Sequence, residues 1–298
     1  MTSFSQYNDI FAGQDASEPK WPKWQAQWMR LYSRVLLHLA QHRYSRLTQA
    51  QLLSRKTSDS IFIFGSGLSI ESLSPEEWEA FSRHNTMGFN WFAFNQRVRI
   101  DYHLVRETVA FNNISHMWRV VRYYGELIAE NICYSNCVLI YQDELRGFAS
   151  ARLLASGALR EGMAVFPYHT KSRGKSEPPS KSFSEGLVHG ASTLIDSINF
   201  ASIMGYRHIV LVGVDLYDSR YFFAQDGDKS TECQRGNSAD DKHHSTRNEI
   251  IPFLESWGRH LANQGQRLSV YNPRSLLAEV LPTYPSFQKT CATSNHEK

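Results

Sequence analysis

The sequence lacks the features that mark several large classes of protein. Four cysteines in 298 residues are too few for a disulfide framework, and no second Cys or His pair accompanies Cys133 and Cys137 to complete a zinc site. No run of about eighteen apolar residues is present, and the first residues do not form a basic-then-apolar leader. We therefore expect free thiols in a reducing compartment and a cytoplasmic protein.

Motifs of common catalytic classes are also missing. The chain has no G-x-S-x-G nucleophile elbow, no protein-kinase signature and no Walker A loop. Acidic residues and histidines do cluster in one polar stretch, as Asp226-Gly-Asp228 and as Asp240-Asp241 with His243-His244. Because that stretch is rich in Gly, Ser, Asp and Lys, such groupings arise by chance, and adjacent histidines on a helix point apart. We expect no metal site and no cofactor.

Acidic residues are absent from a long segment near the N-terminus. No Asp or Glu lies between Glu18 and Asp59, and the segment carries eight basic residues: Lys20, Lys23, Arg30, Arg34, Arg43, Arg46, Arg55 and Lys56. It also carries an aromatic and aliphatic stripe at helical spacing: Trp21, Trp24, Trp28, Leu31, Val35, Leu36 and Leu39. The pattern predicts a basic amphipathic helix. Its stripe either packs on the main domain or docks on an anionic membrane surface or glycolipid. Nucleic acid is a weaker alternative, because the rest of the sequence contains no nucleic-acid recognition module.

The rest of the chain has the pattern of an α/β protein. Hydrophobic residues make up 42% of the sequence and aromatic residues 13%, which is enough for a substantial core. Apolar, β-rich runs predict strands at 60–65, 86–90, 137–142, 163–168, 208–213 and 268–271. Helical spacing predicts helices at 75–84, 115–129, 145–161, 192–204 and 247–264. This alternation predicts a mostly parallel, Rossmann-like sheet flanked by helices.

The patterns of charge and polarity predict three segments of the chain. Residues 1–58 form the basic N-terminal extension, residues 59–285 the main domain and residues 286–298 a flexible tail, with mobile polar loops at 168–186 and 218–244. Ligands of parallel sheets bind beyond the carboxyl ends of the strands. The candidate positions are therefore Gly65-Ser66-Gly67, Asn90, Asp215-Leu216-Tyr217 and Asn272-Pro273-Arg274-Ser275. The two glycines of the first group allow a close approach of the backbone to a phosphate or ribose, and a purely structural turn is the alternative.

Four segments together resemble a known family. They are IFIFGSGLSI (61–70), MGFNWFAF (87–94), ASTLIDSINFASIMGYRHIVLVGVDLYDSRYFF (191–223), and HSTRNEIIPFLESW with LSVYNPRSLLAEVLP (244–282). In this order they resemble the bacterial sialyltransferases that build sialylated lipooligosaccharide from CMP-sialic acid. The resemblance covers about residues 60–285. It implies a glycosyltransferase A-type variant of the Rossmann-like fold, with a single nucleotide-binding domain and a small lid.

The resemblance also implies roles for individual residues. Tyr217 and Tyr221 would hydrogen-bond the phosphate of CMP in place of a metal ion, and His244 would be the general base. The other nucleotide- or donor-binding positions that it implies are Gly65, Ser66, Gly67, Asn90, Ser192, Thr193, Gly213, Asp215, Asn272, Pro273 and Ser275. These roles imply an inverting, metal-independent transfer of sialic acid, Kdo or another nonulosonate from its CMP donor to a surface glycan.

Three positions depart from the family pattern. Ser66 stands where the family has Asn, Trp91 stands where it often has Gln, and Gly190 replaces an arginine. Two alternatives therefore stay open: a flagellin-type nonulosonate transferase with a protein acceptor, and an inactive CMP-binding scaffold of a polysaccharide assembly complex. The expected partners are the CMP-sugar donor, an oligosaccharide or lipooligosaccharide acceptor and the inner membrane through residues 20–56. A homo-oligomer is left open, and nucleic acid is not expected.

Overall fold

A computed structural model describes residues 23–106, 114–143, 148–172, 177–190, 192–217, 221–223 and 249–287. The helices are α1 (Lys23–Ala40), α2 (Gln49–Leu53), α3 (Pro75–Ser82), α4 (Ile114–Glu130), α5 (Phe148–Ala155), α6 (Thr193–Ile203) and α7 (Ile251–Asn263). The strands are β1 (Ser45–Arg46), β2 (Ser60–Phe64), β3 (Asn85–Phe89), β4 (Tyr102–Val105), β5 (Val138–Gln142), β6 (Ala164–Tyr168), β7 (Thr170–Ser172), β8 (Leu187–Val188), β9 (His208–Val212) and β10 (Arg267–Val270).

Eight of these strands form one parallel sheet in the order β1-β6-β5-β4-β3-β2-β9-β10. The chain runs outward from β2 through β3, β4, β5 and β6, and it then returns to the other side of β2 with β9 and β10. The carboxyl ends of β2 and β9 therefore flank a topological switch point, the usual place for a ligand in an open α/β sheet. The predicted α/β, Rossmann-like architecture is confirmed.

Helices cover both faces of the sheet, as the side chains of β2 illustrate. Phe62 and Phe64 belong to the core on one face, together with apolar residues of α3, α4 and α5. Ile61 and Ile63 belong to the core on the other face, together with apolar residues of α6 and α7. Because successive side chains of a strand point to opposite faces, a strand buried on both sides needs an uninterrupted apolar run. The run Ile61–Phe64 meets that need, and all five residues of β2, including Ser60, are buried.

Two predicted features of the secondary structure require correction. The central strand β4 was not among the predicted strands, because its four residues YHLV include a histidine and lie between polar neighbours. Helix α5 ends at Ala155, well before the predicted end at residue 161. Gly157 has a φ of +71°, a left-handed conformation that glycine adopts readily and that ends helices.

The main domain begins before the predicted boundary at residue 58. Strand β1 pairs with β6 at the edge of the sheet, and the buried Tyr44 hydroxyl donates a hydrogen bond of 2.7 Å to the carbonyl of Leu154. Leu52 of α2 is fully buried in the core beneath the sheet. Residues 44–53 are therefore part of the α/β unit, not an extension of it.

The polar segment predicted as a mobile loop at 168–186 is largely packed against the domain. Phe183 is buried against Phe166 and Phe200, with ring centroids 5.1 and 5.5 Å away. The fully buried Asn199 accepts a hydrogen bond from the Ser180 amide and donates one of 3.1 Å to the Ser180 carbonyl. Because one buried side chain satisfies this backbone, the segment lies in place despite its polar composition.

Helix α1 leaves most of the described side chains of its apolar stripe in solvent, and Leu36 is half-buried. Trp28 is 67% exposed and Leu39 is 64% exposed, and Leu31, Tyr32 and Val35 between them are also exposed. The interpretation that this stripe packs on the main domain is therefore wrong for these side chains. Within the described residues, no helix is both long enough and apolar enough to cross a membrane.

Candidate functional site

The strand-end segments singled out in the sequence meet at the carboxyl edge of the sheet. Gly65 follows β2, Asn90 follows β3, Gly213 follows β9 and Tyr271 follows β10, and these four strands are adjacent in the order β3-β2-β9-β10. The first and third segments are joined directly, because the Gly65 and Gly67 amides donate hydrogen bonds of 2.8 Å each to the carbonyls of Val212 and Gly213. We use the name switch-point corner for the residues that follow these strands: 65–69 after β2, Asn90 after β3, 213–217 after β9 and 271–275 after β10.

Asp215 holds the switch-point corner together. Its carboxylate accepts hydrogen bonds from the Ser69 amide at 2.9 Å, from the Ser69 hydroxyl at 2.5 Å and from Nδ2 of Asn272 at 2.9 Å. The residue is only 2% exposed, so these three bonds replace most of its contact with water. Asp215 therefore connects β9 with the turn after β2 and with the turn after β10. Its role is structural, since its carboxylate faces protein donors.

The glycines of the corner are explained by contacts within the protein. A Cβ atom on Gly67 would lie 2.5 Å from Oδ2 of Asp215, and one on Gly65 would lie 2.6 Å from the carbonyl oxygen of Gly213. Gly213 itself has a φ of +65°, and a Cβ there would lie 2.4 Å from Cδ1 of Ile70. Of the two interpretations of the Gly65-Ser66-Gly67 turn, the close packing of β2 against β9 supports the structural one.

Two tyrosines border the corner, as the resemblance implied. Tyr217 is 41% exposed, and its hydroxyl lies 3.3 Å from Nδ2 of Asn272. Because the amide nitrogen can only donate, the phenol oxygen accepts this bond and its own proton is left for another partner. Tyr221 pairs with Gly67 in an antiparallel bridge. The structure thus places Tyr217 beside the turn after β10 and Tyr221 beside the turn after β2.

Asn90 has a strained backbone and an unsatisfied side chain. Its φ is +47°, and Leu216 in the corner has a φ of +63°. These are the two non-glycine residues with positive φ in the described part of the chain, and such strain is concentrated at functional sites. Oδ1 of Asn90 is buried and has no hydrogen-bond partner among the residues that the structure describes. An orphaned buried acceptor costs about 1–3 kcal/mol, so this oxygen is suited to receive an N–H or O–H group of a ligand.

A buried polar network fixes the position of Asn90. The Tyr124 hydroxyl donates a hydrogen bond of 2.7 Å to the Asn90 carbonyl, and it lies 2.6 Å from Nε2 of His103. Burial lowers the pKa of His103 to about 3, so the imidazole is neutral. Since the proton of Tyr124 is used on Asn90, the Nε2 atom of His103 carries the hydrogen of their contact. Nothing in the sequence pattern indicated this network. His103 lies on β4, which was not predicted, and Tyr124 lies on α4, far from Asn90 in the sequence.

The other predicted donor-binding residues differ in how accessible they are. A cleft of about 250 Å³ beside the corner is lined partly by Gly213, Asn272 and Pro273. This volume is below the range of roughly 300–1,000 Å³ typical of ligand pockets, so it fits a base or a sugar ring better than a whole nucleotide-sugar. Ser275 is buried and donates its hydroxyl proton to the Val214 carbonyl, so it stabilises the turn and does not face a ligand.

Ser192 and Thr193 begin α6 at the same edge of the sheet. Ser192 is the N-cap residue, and its Oγ accepts a hydrogen bond of 3.2 Å from the Leu194 amide. Thr193 is buried. The cap bond satisfies only one of the free amides that a helix leaves at its start, and the partial positive charge there favours an anionic ligand.

Sequence reasoning missed three residues that lie close to this helix start. His189, Arg106 and Asp196 form a cluster in which the Asp196 carboxylate contacts both of the other side chains. His189 lies next to Gly190, one of the three departures from the family pattern, and Arg106 follows the strand that was not predicted. The sequence offered one indication of this cluster, an acidic residue, Asp196, in the first turn of an otherwise apolar helix.

Several predicted residues lie outside the described part of the chain. These include His244, the general base implied by the resemblance, together with His243, Asp226, Asp228, Asp240 and Asp241. Among the residues that the structure does describe, no group of three or more His, Cys, Asp or Glu side chains is arranged to hold a metal ion. The roles of His244 and of the acidic pairs stay predictions.

The fold and the corner define the class of this protein as a Rossmann-like α/β protein with a built crevice at its switch point. A scan against protein-family models found no family that matches the chain, and a search of curated proteins found no match.

Proposed function

We propose that this chain is an inverting glycosyltransferase that moves a sialic acid-like sugar from a CMP-sugar donor to a surface-glycan acceptor. The observation that carries the proposal is the convergence of Tyr217, Tyr221, Asn90 and the start of α6 on the carboxyl edge around the β2–β9 switch point. The family resemblance implied a nucleotide-sugar role for each of these positions. Their convergence supports it, because distant segments had to fold together to meet there.

The proposed chemistry uses two features of the corner, the exposed Tyr217 hydroxyl and the buried Oδ1 of Asn90. The leaving phosphate of CMP gains negative charge as its bond to the sugar breaks, and hydrogen-bond donors placed beside it stabilise that charge. The hydroxyl proton of Tyr217 is not used within the corner and is available for this purpose. The orphaned Oδ1 of Asn90 would accept from an amino or hydroxyl group of the donor. The donor sugar could be sialic acid, Kdo or another nonulosonate.

Release of CMP from its sugar tests this activity. We expect the purified protein to release CMP from CMP-Neu5Ac or CMP-Kdo, slowly with water and faster with an oligosaccharide acceptor. Release should persist in excess EDTA, because tyrosine hydroxyls and not a metal ion are expected to meet the phosphate. Product analysis by chromatography measures both reactions.

Three outcomes would change the proposal. Binding of CMP without any release from either donor would favour the inactive CMP-binding scaffold, the alternative motivated by Ser66, Trp91 and Gly190. Loss of release in EDTA, restored by a divalent cation, would make Asp226 and Asp228 the leading candidates for holding that cation on the phosphate. Transfer to a flagellin-type protein but not to a glycan would identify the protein-acceptor alternative.

We also propose that α1 docks the enzyme on an anionic membrane. The exposed stripe of Trp28, Leu31, Val35 and Leu39 shares this helix with the basic Arg34, which is also exposed, and no acidic residue lies between Glu18 and Asp59. An apolar stripe flanked by positive charge is the arrangement of helices that lie in a membrane surface. Such a location would bring the enzyme to a lipid-linked acceptor.

Point substitutions test this docking better than removal of the N-terminal segment, because β1 belongs to the sheet. We expect Leu31→Glu with Val35→Glu to reduce binding to phosphatidylglycerol vesicles at least about tenfold, since each buried aliphatic side chain contributes about 1.5–3 kcal/mol. Co-sedimentation with vesicles measures the effect. The matched control is Ile132→Glu, which changes an apolar residue that is 79% exposed elsewhere on the surface. The docking would be contradicted if Ile132→Glu reduced vesicle binding equally. It would also be contradicted if the wild-type protein bound vesicles of neutral phosphatidylcholine as well as it binds phosphatidylglycerol.

A further inference from the structure

A buried charged cluster joins three distant parts of the chain at the carboxyl edge of the sheet. Arg106 directly follows β4, His189 directly follows β8, and Asp196 lies in the first turn of α6. Nδ1 of His189 lies 2.6 Å from Oδ2 of Asp196, and Nη1 of Arg106 lies 3.1 Å from Oδ1 of the same carboxylate. Asp196 is fully buried, and Arg106 is 3% exposed. Buried charges of this kind persist only when they are paired.

The contacts fix which nitrogen of His189 can act as a base. Arg106 balances the charge of the Asp196 carboxylate, which therefore serves as an acceptor for the imidazole. The neutral ring then carries its hydrogen on Nδ1, and the lone pair is on Nε2. Nε2 makes no hydrogen bond with any described residue, and the His189 side chain keeps 18% exposure. A histidine oriented by a buried carboxylate, with its second nitrogen open, is arranged to accept a proton.

Arg106 provides an independent indication of a ligand at the same place. Its Nη2 atom is buried and has no hydrogen-bond partner in the described part of the chain. Leaving a buried charged donor unpaired costs more than the roughly 1–3 kcal/mol of a neutral group. An oxygen atom of a bound molecule beside His189 would relieve this cost.

The cluster lies next to the positions where the donor sugar is expected. His189 and Asp196 flank Ser192 and Thr193 at the start of α6. Arg106 lies at the end of β4, adjacent to β3 with Asn90 and two strands from β2, a displacement of about 10 Å across the sheet. A CMP-sugar with its nucleotide at the switch-point corner is long enough to span this distance, so its sugar could meet an acceptor hydroxyl near His189.

We propose that His189 is the residue that accepts the proton of the acceptor hydroxyl, oriented for that role by Asp196. This inference rests on the proposed glycosyl transfer. The hydroxyl proton passes to Nε2, and the acceptor oxygen forms a bond to the anomeric carbon of the sugar. The bond from that carbon to the phosphate oxygen breaks, and its electron pair leaves with CMP. The imidazolium is stabilised by the Asp196 carboxylate and returns its proton to water. Arg106 is a positioning residue for Asp196.

The test compares two histidine variants in the full-length protein. We expect His189→Gln to lower the transfer rate roughly 10²–10⁴-fold, the range for loss of a general base, while CMP affinity is unchanged. The matched control is His208→Gln, because His208 is exposed at the start of β9, on the opposite edge of the sheet. In addition, His189→Ala should regain activity when free imidazole is added, which a merely structural role would not produce.

The outcomes separate this inference from the proposed function. Normal transfer by His189→Gln overturns the role of His189 alone, and loss of transfer in His244→Ala alongside it gives that role to His244. Loss of activity in His189→Ala without rescue by imidazole, together with a lowered melting temperature, shows a structural role and also overturns it. A wild-type protein that binds CMP but transfers no sugar overturns both the proposed activity and the role of His189.

Discussion

Replacement of Tyr217 by Phe is expected to lower the rate of sugar transfer by roughly 10²–10³-fold, as for the loss of one donor that stabilises developing charge. The hydroxyl of Tyr217 accepts a hydrogen bond from Asn272, so its proton is free for the phosphate of CMP. Because the residue is 41% exposed, removal of its oxygen should leave the fold intact. Steady-state kinetics with CMP-Neu5Ac or CMP-Kdo measures the rate, and calorimetry measures CMP affinity.

The matched control for this variant is Tyr32→Phe, which removes a hydroxyl from a similarly exposed tyrosine on α1. We expect the control to transfer sugar at the wild-type rate. If Tyr217→Phe also does so, the phosphate is stabilised by other groups and the role of Tyr217 is wrong. If both variants lose activity equally, the effect does not come from the switch-point corner.

Replacement of Gly67 by Ala is expected to abolish CMP binding. The φ of Gly67 is −67°, which alanine adopts without strain, so the effect comes from the added methyl group alone. That group would lie 2.5 Å from Oδ2 of Asp215 and 2.7 Å from the carbonyl oxygen of Gly213. Because both neighbours are held by hydrogen bonds, the turn after β2 must move away from β9 and take Ser69 and Tyr221 with it. Overpacking of this kind costs about 1–3 kcal/mol.

The control for Gly67→Ala must also lose stability but leave the corner intact. Gly265 meets this need, because its φ of +76° makes alanine unfavourable, whereas a Cβ atom added there would have no other atom within 4 Å. It lies in the turn before β10, at the opposite edge of the sheet from the corner. Thermal melts and CMP titrations of both variants separate the two effects. Retained CMP affinity in Gly67→Ala would contradict a nucleotide site at this turn.

The sequence was sufficient to predict a mostly parallel sheet, although not its strand β4, and to predict which segments follow the carboxyl ends of β2, β3, β9 and β10. In β2, four successive apolar residues follow Ser60, and only a sheet covered on both faces buries every residue of such a run. Once the strands are parallel, their carboxyl ends lie along one edge, and the residues that follow them become neighbours. The hydrogen bond between Asn272 and Asp215 is a consequence of this geometry that the sequence alone could anticipate.

The parts of the site that sequence reasoning missed depend on contacts between distant residues. Arg106 and His189 follow the short strands β4 and β8, neither of which has a long apolar run, and they meet only through Asp196. The structural role of Gly67 was likewise one of two interpretations, because a close approach to a phosphate and a close approach to Asp215 require the same residue. Only the packing of β2 against β9 distinguishes them.

For helix α1, the sequence predicted the helix itself but not what covers its apolar face. The pattern of basic residues and a leucine-rich stripe predicted the helix, but a stripe that packs on its own domain and one that faces a membrane have the same spacing. The exposure of Trp28 and Leu39 decides against the first for these side chains. Hydrophobic periodicity identifies an apolar face, and only tertiary structure shows whether the protein itself covers it.

The most direct test of the proposed nucleotide site is a thermal-shift measurement with CMP, UDP and GDP in excess EDTA. A ligand present at 100 times its dissociation constant stabilises the native state by about 2.7 kcal/mol, which is readily observed as a rise in melting temperature. We predict that CMP raises the melting temperature of the wild-type protein, that UDP and GDP do not, and that Gly67→Ala loses the response. No shift with CMP, or equal shifts with all three nucleotides, would contradict a CMP site at the switch-point corner.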